Sequence, residues 1–159
     1  ITTDGYVDAF YDAQSNDYAD ISASVKTGTG EAADVLFAAD NIKSLVINAD
    51  KNADNKVIYV NVDDSAAEDK KVNQAGKLVV NAEDDVTFTI IETFKGTEGV
   101  AGNTAFRTLI DAGKNSHVKL VQVFLQPKEQ DVLSDIGSRC ADEAGFELVQ
   151  LFLGEGSSL

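Results

Sequence analysis

The chain has no methionine and no tryptophan, and among its 159 residues it carries one proline, one cysteine and one histidine. Each scarcity removes a class of molecule. With Cys140 alone, no intrachain disulfide can form, and a small apolar core position is the expected place for the thiol. His117 has no second histidine or cysteine beside it, so it reads as a loop histidine, and Ser116-His117 adjacency makes no nucleophilic triad. Cations are scarce too: 13 Lys and Arg stand against 27 Asp and Glu, a formal net charge of −14 with no basic cluster. Such a surface repels polyanions, so neither nucleic acid nor anionic lipid is an expected partner. No apolar run approaches the roughly 18–20 residues a membrane-spanning helix needs, so no membrane insertion is expected. Ile1-Thr2-Thr3-Asp4-Gly5 has neither a positive nor an apolar segment of a signal peptide, and a first residue Ile without Met is expected of a chain that was processed, trimmed or read from an internal start, which leaves room for a lost leader. Gly28-Thr29-Gly30 lacks the later glycine of a dinucleotide fingerprint and the Gly-Lys-Ser/Thr of a phosphate loop, so no cofactor is expected.

What is present is a hydrophobic fraction of 43%, enough for a core and, at this length, for a single domain over 1–159. Its organising stretch is a pair of nearly identical apolar runs, Leu120-Val121-Gln122-Val123-Phe124-Leu125 and Leu148-Val149-Gln150-Leu151-Phe152-Leu153. Consecutive apolar positions predict strands covered on both faces. Between them, Pro127 suits a first helical turn, Gly145 suits a helix end, and Val132, Leu133, Ile136, Cys140 and Ala144 recur at three- and four-residue spacing. The spacing predicts a crossover helix and hence a β-α-β unit from His117 to Leu153, within an α/β region over 104–153. Gly137 inside that helix implies close packing. The Leu-Val-Gln-x-Phe-Leu duplication matches no repeat period.

Upstream, 19–94 reads as mainly β. Ile21, Ala23 and Val25 alternate as an edge strand, and Glu31 to Asp40 is either a short helix or a buried strand. Leu45-Val46-Ile47 and Val57 to Val62 read as a hairpin, Gln74-Ala75-Gly76 as a turn, and Lys77 to Asn81 and Val86 to Phe94 as two more strands joined by an acidic turn. Together these predict an antiparallel meander. The expected fold class is therefore α+β, the meander and the β-α-β unit sharing one mixed sheet. Residues 1–18 are a possible N-terminal arm, Lys95 to Asn103 a glycine-rich mobile loop or boundary, Thr104 to Gly113 a short amphipathic helix, and 154–159 a flexible tail.

Candidate chemistry is sparse. Asp50, Asn52 and Asp54 alternate through the Asn48–Lys56 connection like half a calcium loop, but Asn61 stands where the bidentate Glu would be. They are the candidate calcium ligands. The acid pairs Asp63-Asp64 and Asp84-Asp85 sit in expected turns, where solvated carboxylates are ordinary, and do not form a glycosidase couple. The expected function is non-enzymatic: a structural or assembly protein, such as a virion, surface-layer or filament subunit, partnered by copies of itself or other structural subunits, extracellular or in a virion. The alternatives are an extracellular ligand- or calcium-binding module with specificity in the acidic, Asn-rich loops, and a hydrolase.

Overall fold

Val86-Thr87-Phe88-Thr89-Ile90 alternates apolar with polar, the period of a strand with one buried face, and it forms one. The same alternation governs nearly everything visible in the computed structural model, which describes backbone over 7–10, 20–25, 33–38, 44–64 and 72–158 and side chains over 45–62 and 76–158. The strands are β1 (Val7–Phe10), β2 (Asp20–Val25), β3 (Ala33–Ala38), β4 (Ser44–Ala49), β5 (Val57–Asp64), β6 (Val72–Ala82), β7 (Thr87–Gly96), β8 (Gly102–Ala112), β9 (His117–Phe124), β10 (Gln130–Cys140) and β11 (Gly145–Phe152). One sheet, here sheet A, has the order β1-β2-β4-β6-β8-β10; the other, sheet B, has β11-β9-β7-β5-β3. Every pairing is parallel except β1 with β2. From β2 onward the chain therefore alternates between the sheets, one strand in each per coil. This is a β-solenoid.

The α+β expectation fails in both halves. Strands β4 and β5 exist but lie in different sheets, so Ser44 to Val62 is no hairpin, and the same is true of β6 and β7. Residues 104–113 and 127–145 hold β8 and β10 rather than helices; among the described residues the only helical element is one 3₁₀ turn, Lys51–Ala53. A four-residue spacing is a multiple of two as well as about one helical turn. Phe106 and Ile110, or Val132 and Ile136, thus share a face in either conformation, and long-range pairing with the neighbouring coil decides. Gly137 does sit under a neighbour, but in a strand: a Cβ there would lie 3.0 Å from Leu109 Cδ2. The Gln74-Ala75-Gly76 turn lies inside β6. Strands are found at 20–25 and 33–38, as Ile21, Ala23, Val25 and Val35-Leu36-Phe37 allow. Of the 1–18 arm, Val7–Phe10 forms β1 and the rest lies outside the described residues, as does Gly28-Thr29-Gly30.

The corners explain why turn-rich connectors make a solenoid instead of hairpins. Asn55, Asp85, Asn115 and Glu143 all adopt left-handed φ, between 55° and 61°, each two positions ahead of the next sheet B strand. Asn and Asp tolerate this conformation, which swings the chain across to the other sheet. Successive corners then stack. The Asn55 N–H donates to the Thr87 carbonyl at 2.6 Å, the Asp85 N–H to Lys114 at 2.9 Å and the Asn115 N–H to Asp142 at 3.0 Å.

Between the sheets lies a continuous apolar core containing Leu45, Ile47, Ile58, Val60, Leu78, Val80, Ile90, Phe94, Phe106, Leu120 and Phe124. A stack of rings runs along it and out of it: Phe94 on Phe124 at 5.0 Å and Phe124 on the exposed Phe152 at 4.8 Å, both near-parallel, with Phe106 edge-on to Phe94 at 5.6 Å. Such pairs add about 0.5–1.5 kcal/mol each beyond their burial.

Candidate functional site

In-register coils turn single residues into columns. Glu92, Gln122 and Gln150 pair in sheet B at separations of 30 and 28 residues. The Gln122 amide donates to Glu92 Oε2 at 2.5 Å and to Ser134 Oγ of the opposite sheet at 2.8 Å, while Gln150 Nε2 donates to Gln122 Oε1 at 2.9 Å. Thr108 Oγ1 donates to Glu92 Oε1 at 2.8 Å. A wholly buried carboxyl is costly to ionise, and burial pushes Glu92 up to about 7, against the opposing hydrogen bonds from Gln122 and Thr108. This column is a polar seam inside an apolar core, and every member has a partner within it.

The seam runs out into solvent. In β9, Leu120 and Phe124 are 0% and 1% exposed; their register partners in β11, Leu148 and Phe152, are 41% and 58% exposed. They face the same interior, but no strand of the described residues lies beyond β11 in sheet B. Leu133, Leu151 and Leu153 enlarge the exposed apolar surface of this last coil. Cys140 follows the same logic. It pairs with the buried Ala112 yet is exposed, so the expected buried thiol is corrected: the position is inward, but the coil is open. In sheet A, Ser158 forms a parallel bridge to Val132, whose N–H donates to the Ser157 carbonyl at 2.9 Å. The contact is a single bridge and not a strand.

The outer faces carry charge ladders. Lys119 Nζ of β9 lies 3.0 Å from Glu147 of β11; in sheet A, Arg107 Nε donates to Asp135 at 2.6 Å and Arg139 Nε to Asp111 at 3.1 Å. The hydrogen bond and charge of Arg139 hold the Asp111 carboxyl below its ordinary range. These pairs are exposed, so solvent screens them and they add little to stability. A hollow of about 430 Å³ on the outer face of sheet A, near Lys77, Arg107, Leu133 and Asp135, is bordered by one of these pairs.

The calcium candidates are engaged in corner geometry. Asp50 caps the 3₁₀ turn, accepting from the Asn52 N–H at 2.8 Å and from Asn52 Nδ2 at 3.0 Å. Asp54 instead accepts the Thr87 N–H of the next coil at 2.9 Å. Asp84 and Asp85 repeat this role, accepting from the Lys114 N–H and Asn115 Nδ2, both at 2.7 Å. Among the described residues no group of three or more His, Cys, Asp or Glu is arranged to hold a metal ion. His117 opens β9, exposed on its outer side.

Sequence reasoning missed Glu92, Gln122, Gln150 and Phe152 as one set. The signal was there: Ile90-Ile91-Glu92-Thr93-Phe94 is a third, degraded copy of the Leu-Val-Gln-x-Phe run. Comparison of the chain with protein-family models, with curated proteins and with solved structures finds no match, so the functional reading rests on this open coil and the columns that end in it.

Proposed function

We propose that this chain is a non-enzymatic structural module that works by self-association through its C-terminal coil, in an extracellular or virion assembly. The observation that carries this reading is the exposure of Leu148 and Phe152 on an edge where their register partners one coil earlier, Leu120 and Phe124, are sealed. Stacked coils bury one another's apolar faces, and an unpaired strand edge with apolar side chains is a template for pairing. The buried polar groups support the same reading, since Glu92, Gln122 and Thr108 are bonded to one another inside the core and do not converge on a cleft.

The charge sets the conditions. At −14, copies repel one another at low ionic strength, where the screening length is about 30 Å at 0.01 M; at 1 M it is about 3 Å and apolar contact prevails. Sedimentation velocity across a concentration series is expected to show larger species that grow with salt, and Phe152→Lys is expected to weaken association at least tenfold at 1 M salt. A chain that stays monomeric at high micromolar concentration in 1 M salt ends this reading.

A further inference from the structure

We propose that the connectors at 97–101, 125–129 and 153–156 enclose a calcium site whose protein ligands are the Gln126 side-chain oxygen and the Glu129 carboxylate. Each connector leaves a sheet B strand, β7, β9 or β11, and they stack as the strands do. The Leu125 N–H donates to the Phe94 carbonyl at 2.8 Å and the Glu155 N–H to the Gln126 carbonyl at 3.1 Å. They border a hollow of about 360 Å³ where Glu98, Glu129 and Glu155 stand against a single ammonium, Lys128. An acidic rim alone is ordinary on a chain with a net charge of −14. What sets this hollow apart is a buried polar side chain in its wall.

Gln126 is 1% exposed, and its amide has one allowed orientation. Nε2 donates to the Ser157 carbonyl at 3.1 Å and to Ser158 Oγ at 2.6 Å, so turning the amide over would set oxygen against carbonyl oxygen. Oε1 is thereby held on the other side, sealed from solvent and without a donor among the described residues. The same holds for Glu129 Oε2, whose companion oxygen lies 3.6 Å from Lys128 Nζ. Two sealed acceptors in the wall of one hollow, one of them charged, are matched by a cation. Three carboxylates against one ammonium leave an excess of two negative charges, which a divalent ion cancels. Calcium accepts amide, carboxylate and water oxygens in irregular geometry, whereas magnesium demands a near-ideal octahedron and gives up water reluctantly. No three acids among the described residues are arranged around one ion, so Glu98 and Glu155 act through their charge while Glu129 ligates. The bound ion ties three successive connectors together. The site is distinct from Asp50, Asn52 and Asp54, and it stands or falls independently of self-association.

The full chain, at a concentration where sedimentation finds monomer and at constant ionic strength, is titrated with calcium chloride by isothermal calorimetry while thermal unfolding is followed in parallel. One saturable site per chain is expected, with a dissociation constant on the order of 10⁻⁴–10⁻³ M. The unfolding midpoint is expected to rise by about 3–10 °C at about 10 mM calcium, and by less than about half as much with magnesium. Glu129→Gln keeps the side-chain shape and offers an amide donor to Gln126 Oε1, so the calcium-dependent rise should vanish while the metal-free variant stays at least as stable as the wild type. Asp131→Asn removes one charge from the exposed outer face of β10 and should keep the whole calcium response. No saturable heat and no shift up to about 20 mM calcium overturns the proposal and leaves the two oxygens to water. Equal responses from the wild type and both variants also overturn it, since calcium then only screens the net charge. Should Glu129→Gln fail to fold, the wild-type calorimetry still decides.

Discussion

Glu92 is a carboxyl group sealed between two sheets, with an ordinary value of 4.5 raised to about 7 by desolvation. Between those values the folded chain holds a proton that the unfolded chain has released. Stability therefore falls as pH rises through that window and levels off above about 7, by up to about 3 kcal/mol from this residue. When Glu92 is protonated, the Thr108 hydroxyl can turn from donor to acceptor while Gln122 keeps its bond, so the neutral acid remains satisfied. Gln reproduces that neutral shape. Urea denaturation of Glu92→Gln should show a variant more stable than the wild type at pH 8, by at most about 3 kcal/mol, and no more stable at pH 4. A variant that loses stability at both pH values would mean that the charged form is the one the core is built around.

Strand register is tested by Gly76 of β6, which pairs with Phe106 of β8 across sheet A. A Cβ at position 76 would stand 2.6 Å from the Phe106 ring, which cannot easily yield because it is set edge-on against Phe94 at 5.6 Å. Gly76→Ala should therefore cost about 1–3 kcal/mol by overpacking. Phe106→Leu should recover part of that loss, and a double-mutant cycle from chemical denaturation should report a coupling of about 0.5–3 kcal/mol. Additive effects would place the two residues out of contact. A meander with β8 replaced by a helix gives no reason for coupling, so the cycle also separates the solenoid from the fold the local pattern suggests. At this scale the strands of 45–62 and 77–94 were readable from β-branched runs and clean alternation. The elements at 104–112 and 130–140 were not, because their apolar spacing satisfies both periods and local preference does not choose between them.

In the whole molecule each coil touches only its neighbours, so stability is close to a sum of coil and interface contributions. The coil of β8 and β9 is sandwiched, whereas among the described residues the far side of β10 and β11 carries only the Ser157–Ser158 contact at Val132. Amide hydrogen exchange should be slowest in β7 and β9 and fastest in β11, whose inward residues are exposed; uniform protection through β11 in a monomer would contradict an open coil. The sequence by itself determined a net charge of −14, a single thiol without an intrachain partner, most of the strand content before position 95, and the adjacency of the twin runs, which lie side by side in register although the second is exposed and not covered on both faces as expected. Only tertiary structure decided that the connectors are corners and that the segment between the twins is a strand of the opposite sheet. The reason is physical. Turn residues such as Asn55, Asp85 and Asn115 suit a hairpin and a solenoid corner equally, and only stacking on another coil, many residues away in sequence, selects the corner.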